Sequence, residues 1–524
     1  MKVLVSDQIS ELGINKLREK AVVDVRTQLT PAELVQAIPE YDALVVRSST
    51  KVTRAVLEAG KNLKVVGRAG VGIDNIDVEA ATEQGIIVLN APEGNTISAA
   101  EHTVAMMTSL ARNIPAAASS LKAGEWKRSA FMGVELYGKT LGVIGLGRIG
   151  TEVIKRAQAM GMDIVGYDPY ISDERAEKLG VKLATLEEIY RKADFITVHT
   201  PLTKSTKHMI STKELAMMKD SVRLINCARG GLIDEAALCE ALQTGKIAGA
   251  AIDVFEEEPA TCNPLCELKN IIVTPHLGAS TAEAQINVAV QVAEQVLNAL
   301  SGEPLVSAVN VSVIPAETMA EVRPFIPLMK TLGSFHSQVF SEQIESIEIL
   351  YSGEIANFPT TLLTNSFLIG LLSVILQETI NNVNAPVIAM QRGIKVREVL
   401  SRSVDNFTNL ITVNIKTKEG IRTVAGTLFN KDDIRIVQIG QYKIEVVPSR
   451  NMLVTTYNDV PGVIGRFGVM LGENNINIAG MQVGRQSVGG EAVMVVQVDS
   501  AVSDEVLQKL QSLDAILSLH FVQL

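Results

Sequence analysis

The sequence predicts an α/β protein of several domains, with two doubly wound parallel sheets followed by α+β units. Three observations carry that prediction. At 524 residues and 56.4 kDa the chain exceeds what one hydrophobic core organises, so about three or four domains are expected. From Met1 to about Leu300, short β-branched runs alternate with amphipathic stretches, as in successive βαβ units. Beyond Pro304 the runs alternate polar and apolar instead, as antiparallel strands do. Apolar residues make up 47% and charged residues 20%, which excludes a disordered chain.

In chain order, the candidate strands are Val3–Ser6, Ala43–Val46, Lys64–Val66, Ile86–Leu89, Thr140–Ile144, Asp163–Tyr167, Phe195–Val198, Arg223–Asn226, Ala250–Val254 and Ile271–Thr274. A helix over Ser98–Arg112 is expected to open on a Ser98/Glu101 capping box. These runs divide into a discontinuous domain, 1–94 with 281–310, and an inserted domain, 95–280. The helix Thr281–Ser301 returns the chain to the first. Pro315, Pro324 and Pro327 punctuate a linker into a region 316–450, where Ile344–Tyr351 and Asn409–Lys416 read as strands and Lys418-Glu419-Gly420 as a hairpin turn. The apolar stretch Ser366–Leu376 falls short of the roughly 18–20 residues a bilayer span needs and reads as a buried helix. Residues 452–524 follow the order strand, helix, strand, strand, helix, strand, the ferredoxin-like βαββαβ arrangement. Its elements are Met452–Tyr457, Gly462–Asn474, Ile476–Arg485, Ala492–Val498, Ser503–Gln511 and Ile516–Val522.

Charge and cysteine usage narrow the function. A net charge of -10 and 4% aromatic residues argue against nucleic-acid binding, so any anion site must be a local cluster. Four cysteines (Cys227, Cys239, Cys262, Cys266) make no disulfide framework, and no clustered ligand pattern points to a metal. The start MKVLVSDQIS lacks an apolar signal region. The expectation is a cytoplasmic protein without membrane or metal.

Gly145-Leu146-Gly147-Arg148-Ile149-Gly150 follows the run Thr140–Ile144 and precedes a helical pattern. Glycines there give a tight turn, close approach of a pyrophosphate and close helix packing, while the helix N-terminus offers free N–H groups. Asp168 ends the next strand eighteen residues beyond Gly150, where a ribose hydroxyl acceptor belongs. Its carboxylate would repel a 2′-phosphate, so a Rossmann domain using NAD is favoured over one using NADP. A second glycine loop, Gly67-Arg68-Ala69-Gly70-Val71-Gly72, lacks the third glycine spacing and the acidic residue. It reads as a strand-end loop whose N–H groups and Arg68 contact an anionic substrate, or as a plain βα turn.

Arg229, Glu258 and His276 each lie just past a candidate strand, on the edge where doubly wound sheets bind ligands. Oxidising a secondary alcohol needs a base working near pH 7, which histidine supplies. A carboxylate on the other ring nitrogen fixes the tautomer, and an arginine fork matches a substrate carboxylate.

The stretches VVRSSTKVT (45–53), VVGRAGVGIDNID (65–77), GNTISAAEHT (94–103), GKTLGVIGLGRIG (138–150), INCARGGLIDE (225–235), DVFEEEP (253–259) and TPHLGAST (274–281) resemble the D-isomer-specific 2-hydroxyacid dehydrogenases. The resemblance implies a Rossmann NAD-binding domain and a flavodoxin-like substrate-binding domain, with Arg229, Glu258 and His276 as the catalytic set. It further implies NAD contacts at Val71, Gly145, Gly147, Arg148, Ile149, Gly150, Asp168, Thr200, Cys227, Ala228, Asp253, Gly278 and Ala279. Val71 replaces a common threonine and leaves only a backbone contact. Arg47, Arg68, Asn95 and Arg128, beside Lys127, are the expected substrate contacts, since a phosphorylated acid with about three negative charges calls for converging cations. Region 316–450 resembles the intervening domain of long-form members, and 452–524 resembles an ACT domain, with Asn458, Asp459 and Asn477 as effector residues and L-serine as the implied effector. The implied reaction is NAD-dependent oxidation of 3-phospho-D-glycerate to 3-phosphooxypyruvate, opening serine biosynthesis, by a homo-oligomer (dimer or tetramer). Two other readings stay open: a glyoxylate or hydroxypyruvate reductase, which the long tail and cations disfavour, and a silent NAD-sensing corepressor, which the intact Arg/Glu/His trio disfavours.

Overall fold

The computed structural model describes residues 1–340, 342–376, 379–404, 406–430 and 432–524, and four sheets organise them. The first holds β1 (Lys2–Val5), β2 (Val22–Val25), β3 (Ala43–Val46), β4 (Val65–Arg68) and β5 (Ile87–Leu89), all parallel, in the order β2-β1-β3-β4-β5. That is the flavodoxin-like order. Both faces are covered: Val3, Val5, Val45 and Val65 pack on the helix Ala282–Ser301, and Leu4, Leu44, Val46 and Val66 pack on the opposite helices. Double burial is why these strands read as continuous apolar runs. The exception is β2, an edge strand with Val22 and Val25 exposed, which is not among the expected strands.

The second sheet holds β6 (Thr140–Ile144), β7 (Asp163–Tyr167), β8 (Lys182–Leu183), β9 (Phe195–Val198), β10 (Arg223–Asn226), β11 (Gly249–Ile252) and β12 (Ile271–Val273). Its order, β12-β11-β10-β9-β6-β7-β8, reverses between β6 and β9, as in a Rossmann sheet. The helix Thr96–Arg112 lays Ala100, Val104, Met107 and Leu110 against Leu141, Val143 and Ile225. This helix starts two residues before the expected Ser98/Glu101 box, which does not form. Asn95 is the N-cap without a side-chain cap bond, Ser98 Oγ bonds Thr281 Oγ1 at 2.7 Å, and Glu101 faces Arg156 at 3.5 Å. Both box residues are recruited by partners distant in sequence.

The third sheet runs β14-β13-β15-β16-β17-β18, built from β13 (Ile344–Gly353), β14 (Lys395–Ser401), β15 (Asn409–Thr417), β16 (Gly420–Phe429), β17 (Asp433–Ile439) and β18 (Tyr442–Val446). Lys418-Glu419 closes the expected hairpin, pairing Thr417 with Gly420. The helices Phe325–Val339 and Thr361–Ile375 cross backbone to backbone: a Cβ on Gly333 would lie 2.2 Å from Phe367 O, and one on Gly370 2.1 Å from Lys330 O. The apolar stretch Ser366–Leu376 falls largely in the second of these, with Phe367, Leu368, Leu371 and Leu372 buried. No helix among the described residues is long and apolar enough to cross a membrane.

The fourth sheet, β19 (Asn451–Asn458), β20 (Ile478–Arg485), β21 (Glu491–Val498) and β22 (Ile516–Gln523), has the antiparallel order β20-β21-β19-β22 of a ferredoxin-like unit. One face carries the helices Val463–Glu473 and Asp504–Gln511. The other joins the core of the third sheet, where Met452, Val454, Val493 and Val522 belong to one cluster with Leu332 and Phe335. These two C-terminal units share a hydrophobic core.

Candidate active site

The reversal between β6 and β9 places the glycine turn at the crevice. Gly145 has φ +97°, and a Cβ there would lie 2.6 Å from His199 O. A Cβ on Gly150 would meet Gly145 O at 2.1 Å, whereas one on Gly147 meets nothing within 4 Å. Two glycines therefore close the turn, and the third keeps open space in front of the helix Arg148–Ala159 and its free N–H groups. Asp168, past β7, bends back over this turn: its Oδ2 accepts the Leu146 N–H at 2.9 Å and its Oδ1 the Tyr170 N–H at 2.9 Å. This cradle fits a dinucleotide. Ile149 is partly buried behind it, while Arg148 spans the cleft to Glu93 at 3.3 Å.

The other expected cofactor residues line the same edge. Thr200 follows β9, and its hydroxyl reaches Met209 Sδ at 3.7 Å. Cys227 and Ala228 follow β10; burial, with the Asp253 charge beside it, pushes the Cys227 thiol up to about 12, so it stays protonated. Val71 lies across the cleft, its carbonyl already accepting Asn90 Nδ2 at 2.7 Å, so only its N–H remains to offer. His199, at the end of β9, meets Thr197 Oγ1 at 3.0 Å, and burial pulls it down to about 4, leaving it neutral at physiological pH.

Three successive strand ends converge on the chemistry. His276, after β12, sets Nδ1 2.9 Å from Glu258 Oε2 and 3.1 Å from Oε1, Glu258 lying after β11. A carboxylate at Nδ1 calls for the proton there, leaving Nε2 as the basic nitrogen. Burial works to raise the Glu258 carboxyl, but the His276 bond and the Phe255 N–H outweigh it, so Glu258 is held below the usual carboxylate range. Arg229, after β10, donates through Nη1 to Ala228 O at 2.7 Å and faces Asp74 Oδ2 through Nε at 3.4 Å. A cavity of about 620 Å³ opens beside them, lined by Ser48, Ser49, Phe255, Thr261 and Pro275 with Glu258 and His276.

His276 itself has φ +53°, a conformation that costs a non-glycine residue about 1–3 kcal/mol. Asp253 holds it there. Its backbone carbonyl accepts the His276 N–H at 2.9 Å, Oδ1 accepts the Leu277 N–H at 2.7 Å, and Oδ2 accepts the Gly278 N–H at 2.9 Å, with Ala279 next in the loop. Asp253 is fully buried, which works to raise its pKa, yet His102, Thr274 and these amides hold it low. His102, which the sequence pattern places simply in a helix, sits with Nε2 3.2 Å from Asp253 Oδ1 and ties that helix to the loop.

Asp7 and Asn75 also escape sequence reasoning. Asp7 accepts the Arg47 N–H at 2.6 Å and the Thr50 hydroxyl at 2.8 Å. Asn75 accepts Arg68 Nε at 3.3 Å and donates to Arg47 O at 2.6 Å and Thr50 O at 2.7 Å. Together they fix Arg47 and Arg68 at the ends of β3 and β4; the only sequence signal was Asn75's place inside the GIDN motif. Asn95 Oδ1 is buried without a hydrogen-bond partner. Arg128 is not brought to this group. It lies on an exposed turn, Arg128–Phe131, and makes no ion pair within the chain among the described residues.

The effector trio is also divided. Asn458 ends β19 opposite Glu491, at the start of β21, and Asp459 Oδ2 pairs with Arg485 at 3.1 Å. Asn477 bonds Asp499 at 2.7 Å, beyond the other end of β21. An eight-residue strand, about 25 Å, separates them within one chain. Asp459 already has its cation, so within one chain it is not waiting for an ammonium group.

A nucleotide cradle and a histidine–carboxylate pair at the strand ends define a class, the NAD-linked dehydrogenases of D-2-hydroxyacids. Residues 104–278 match the model of the D-isomer specific 2-hydroxyacid dehydrogenase NAD binding domain, 321–440 the D-3-phosphoglycerate dehydrogenase intervening domain and 451–515 the ACT domain. The D-3-phosphoglycerate dehydrogenase of Methanocaldococcus jannaschii is 49% identical over the whole of both chains. That of Bacillus subtilis is 46% identical over 100% of this chain and 99% of its own. Among solved structures, Escherichia coli D-lactate dehydrogenase superposes with a TM-score of 0.53 at 29% identity, and a Paecilomyes thermophila glyoxylate reductase with 0.55 at 31%. Each covers 59% of this chain, and the match takes in 100% and 98% of theirs. The chain belongs to the D-3-phosphoglycerate dehydrogenase family.

Proposed function

We propose that the chain oxidises 3-phospho-D-glycerate to 3-phosphooxypyruvate with NAD, through His276 as base, Glu258 as its partner and Arg229 as substrate anchor. The observation that carries this is the His276–Glu258 pair at 2.9 Å, held one strand away from Arg229. Bound NAD supplies the hydride acceptor. Arg229 grips the substrate carboxylate and orients the adjacent hydroxyl-bearing carbon. His276 Nε2 takes the hydroxyl proton as that carbon loses hydride, and Glu258, charged at neutral pH, stabilises the imidazolium that forms. Arg68 is pulled down to about 10 by burial and by Arg229, and so stays charged to meet the phosphate with Arg47.

A homo-oligomer is supported by the helix Ile114–Lys122, which buries none of its residues, and by Trp126, Met132 and Tyr137 exposed beyond it. Arg128 on this segment would then act in a second copy's cleft. Four free cysteines suit a reducing, cytoplasmic setting. L-serine as effector would require Asn458 and Asn477 from different chains.

Purified protein should reduce NAD with 3-phosphoglycerate and only weakly with D-lactate, D-glycerate or glycolate. Equal rates with the unphosphorylated acids would reject this substrate.

A further inference from the structure

We propose that Asp74 is an internal counter-ion of Arg229 that keeps the place of the substrate's carboxylate until an incoming anion exchanges with it. The inference rests on the reading of Arg229 as substrate anchor and adds what competes with the substrate for it.

Asp74 lies on the loop after β4, in the first sheet's domain, and reaches across the cleft to Arg229, after β10 in the second. Their ion pair, Nε to Oδ2 at 3.4 Å, is the one Arg229 makes among the described residues. The two side chains differ in setting, Asp74 being 74% exposed and Arg229 29%. Water accepts the Asp74 carboxylate at little cost when it swings out. The more enclosed guanidinium, in contrast, needs another anion in its place. The loop is shaped around that guanidinium: a Cβ on Gly72 would lie 2.3 Å from Arg229 Nη2 and 3.0 Å from Asp74 Oδ2.

The neighbouring cations make vacating the position costly. Arg68 feels Arg229 and Arg47 as repulsion and Asp74 and Asp7 as relief. The Asp7 carboxylate is already engaged by the Arg47 N–H and by Thr50. Removing Asp74 without a substitute leaves these guanidiniums underneutralised, so binding becomes an exchange of anions. A ligand must therefore bring its own carboxylate to displace Asp74. The intramolecular pair lowers the affinity of every carboxylate ligand by a fixed factor and ties the two domains across the cleft when no substrate is there.

The test uses the full chain carrying Asp74→Asn, with Asp74→Glu as the charge-keeping variant. Oxalate, a carboxylate probe without phosphate, is titrated calorimetrically in the presence of NADH, which needs no turnover; KM for 3-phosphoglycerate is measured in parallel. In Asp74→Asn the oxalate Kd and the KM should both fall about two- to fivefold, the span of a partly exposed ion pair. Asp74→Glu should stay near the parent. An unchanged or raised oxalate Kd in Asp74→Asn, or the same fall in Asp74→Glu, overturns the exchange. If the parent itself fails to turn over 3-phosphoglycerate, the substrate reading fails while the oxalate titration still decides the role of Asp74.

Discussion

The turn after β6 and the turn after β4 both set three glycines at the C-terminal end of a parallel strand, and their surroundings differ in kind. In the first, Gly145 and Gly150 are pressed by backbone carbonyls while Gly147 faces open space. In the second, Gly70 would meet Arg68 Nη1 at 2.1 Å and Gly72 would meet Arg229 Nη2 at 2.3 Å, with Gly67 against Val292 and Val296 of the returning helix. One loop is bare so that a phosphate can approach, and the other so that the protein's own guanidiniums can. Glycine at a strand end reports close approach without saying what approaches; the chemistry is read from the neighbours. The His276–Glu258 pair, after β12 and β11, is the chemical centre both loops serve, so each loop should govern a different ligand of one reaction.

The largest effect expected is at that shared centre. His276→Ala should lower kcat by about 10²–10⁴-fold while NADH still binds, measured by steady-state rates and NADH fluorescence. Retained turnover would take the role of base away from His276. Next come the loops themselves. Gly147→Val fills the open side and should raise the NADH Kd about tenfold or more with oxalate binding kept. Gly72→Ala crowds Arg229 and should raise the KM for substrate by a similar factor, about tenfold, with NADH binding kept. If both variants weaken the same ligand, the contrast between the loops is lost. Asp168→Ala should loosen the preference for NAD over NADP by about tenfold, since it removes the carboxylate beside the ribose; unchanged discrimination would take Asp168 out of that contact.

The smallest effect concerns the loop that presents His276. Asp253 has its pKa held below the ordinary carboxylate value, so the stabilisation it provides is present above about pH 4 and fades as pH falls through its folded value. Thermal melts from about pH 5 to 3 should show a shallower decline in Asp253→Asn than in the parent. An equal slope would mean that another carboxylate dominates acid unfolding.

How much of this was legible follows from where each residue's partners lie. The strands β6, β9 and β10 stand at the bounds their apolar runs predict, because a strand buried on both faces writes its limits into composition. The edge strands β2 and β8 are half solvated; β8 has only two residues, and the valines of β2 are broken by the charge of Asp24. The trio Arg229, Glu258 and His276 could be singled out because each follows a recognisable strand. His102, Asn75 and Asp74 could not, since their partners Asp253, Arg47 and Arg229 are far away in sequence. The Ser98/Glu101 box failed for the same reason: Thr281, 183 residues on, takes the serine hydroxyl.

The amino-acid order by itself determined the sequence of parallel and antiparallel units, the cofactor turn and the chemical types waiting at the strand ends. These rest on local periodicity and on glycine's backbone freedom, which act over a few neighbouring residues. Only the tertiary structure decided which charge meets which: Asp74 on Arg229, Asp253 under His276, and Asn458 kept apart from Asn477. Hydrogen bonds and ion pairs act over a few ångströms of space, and only the packing of whole sheets and helices brings residues that are distant along the chain within that range.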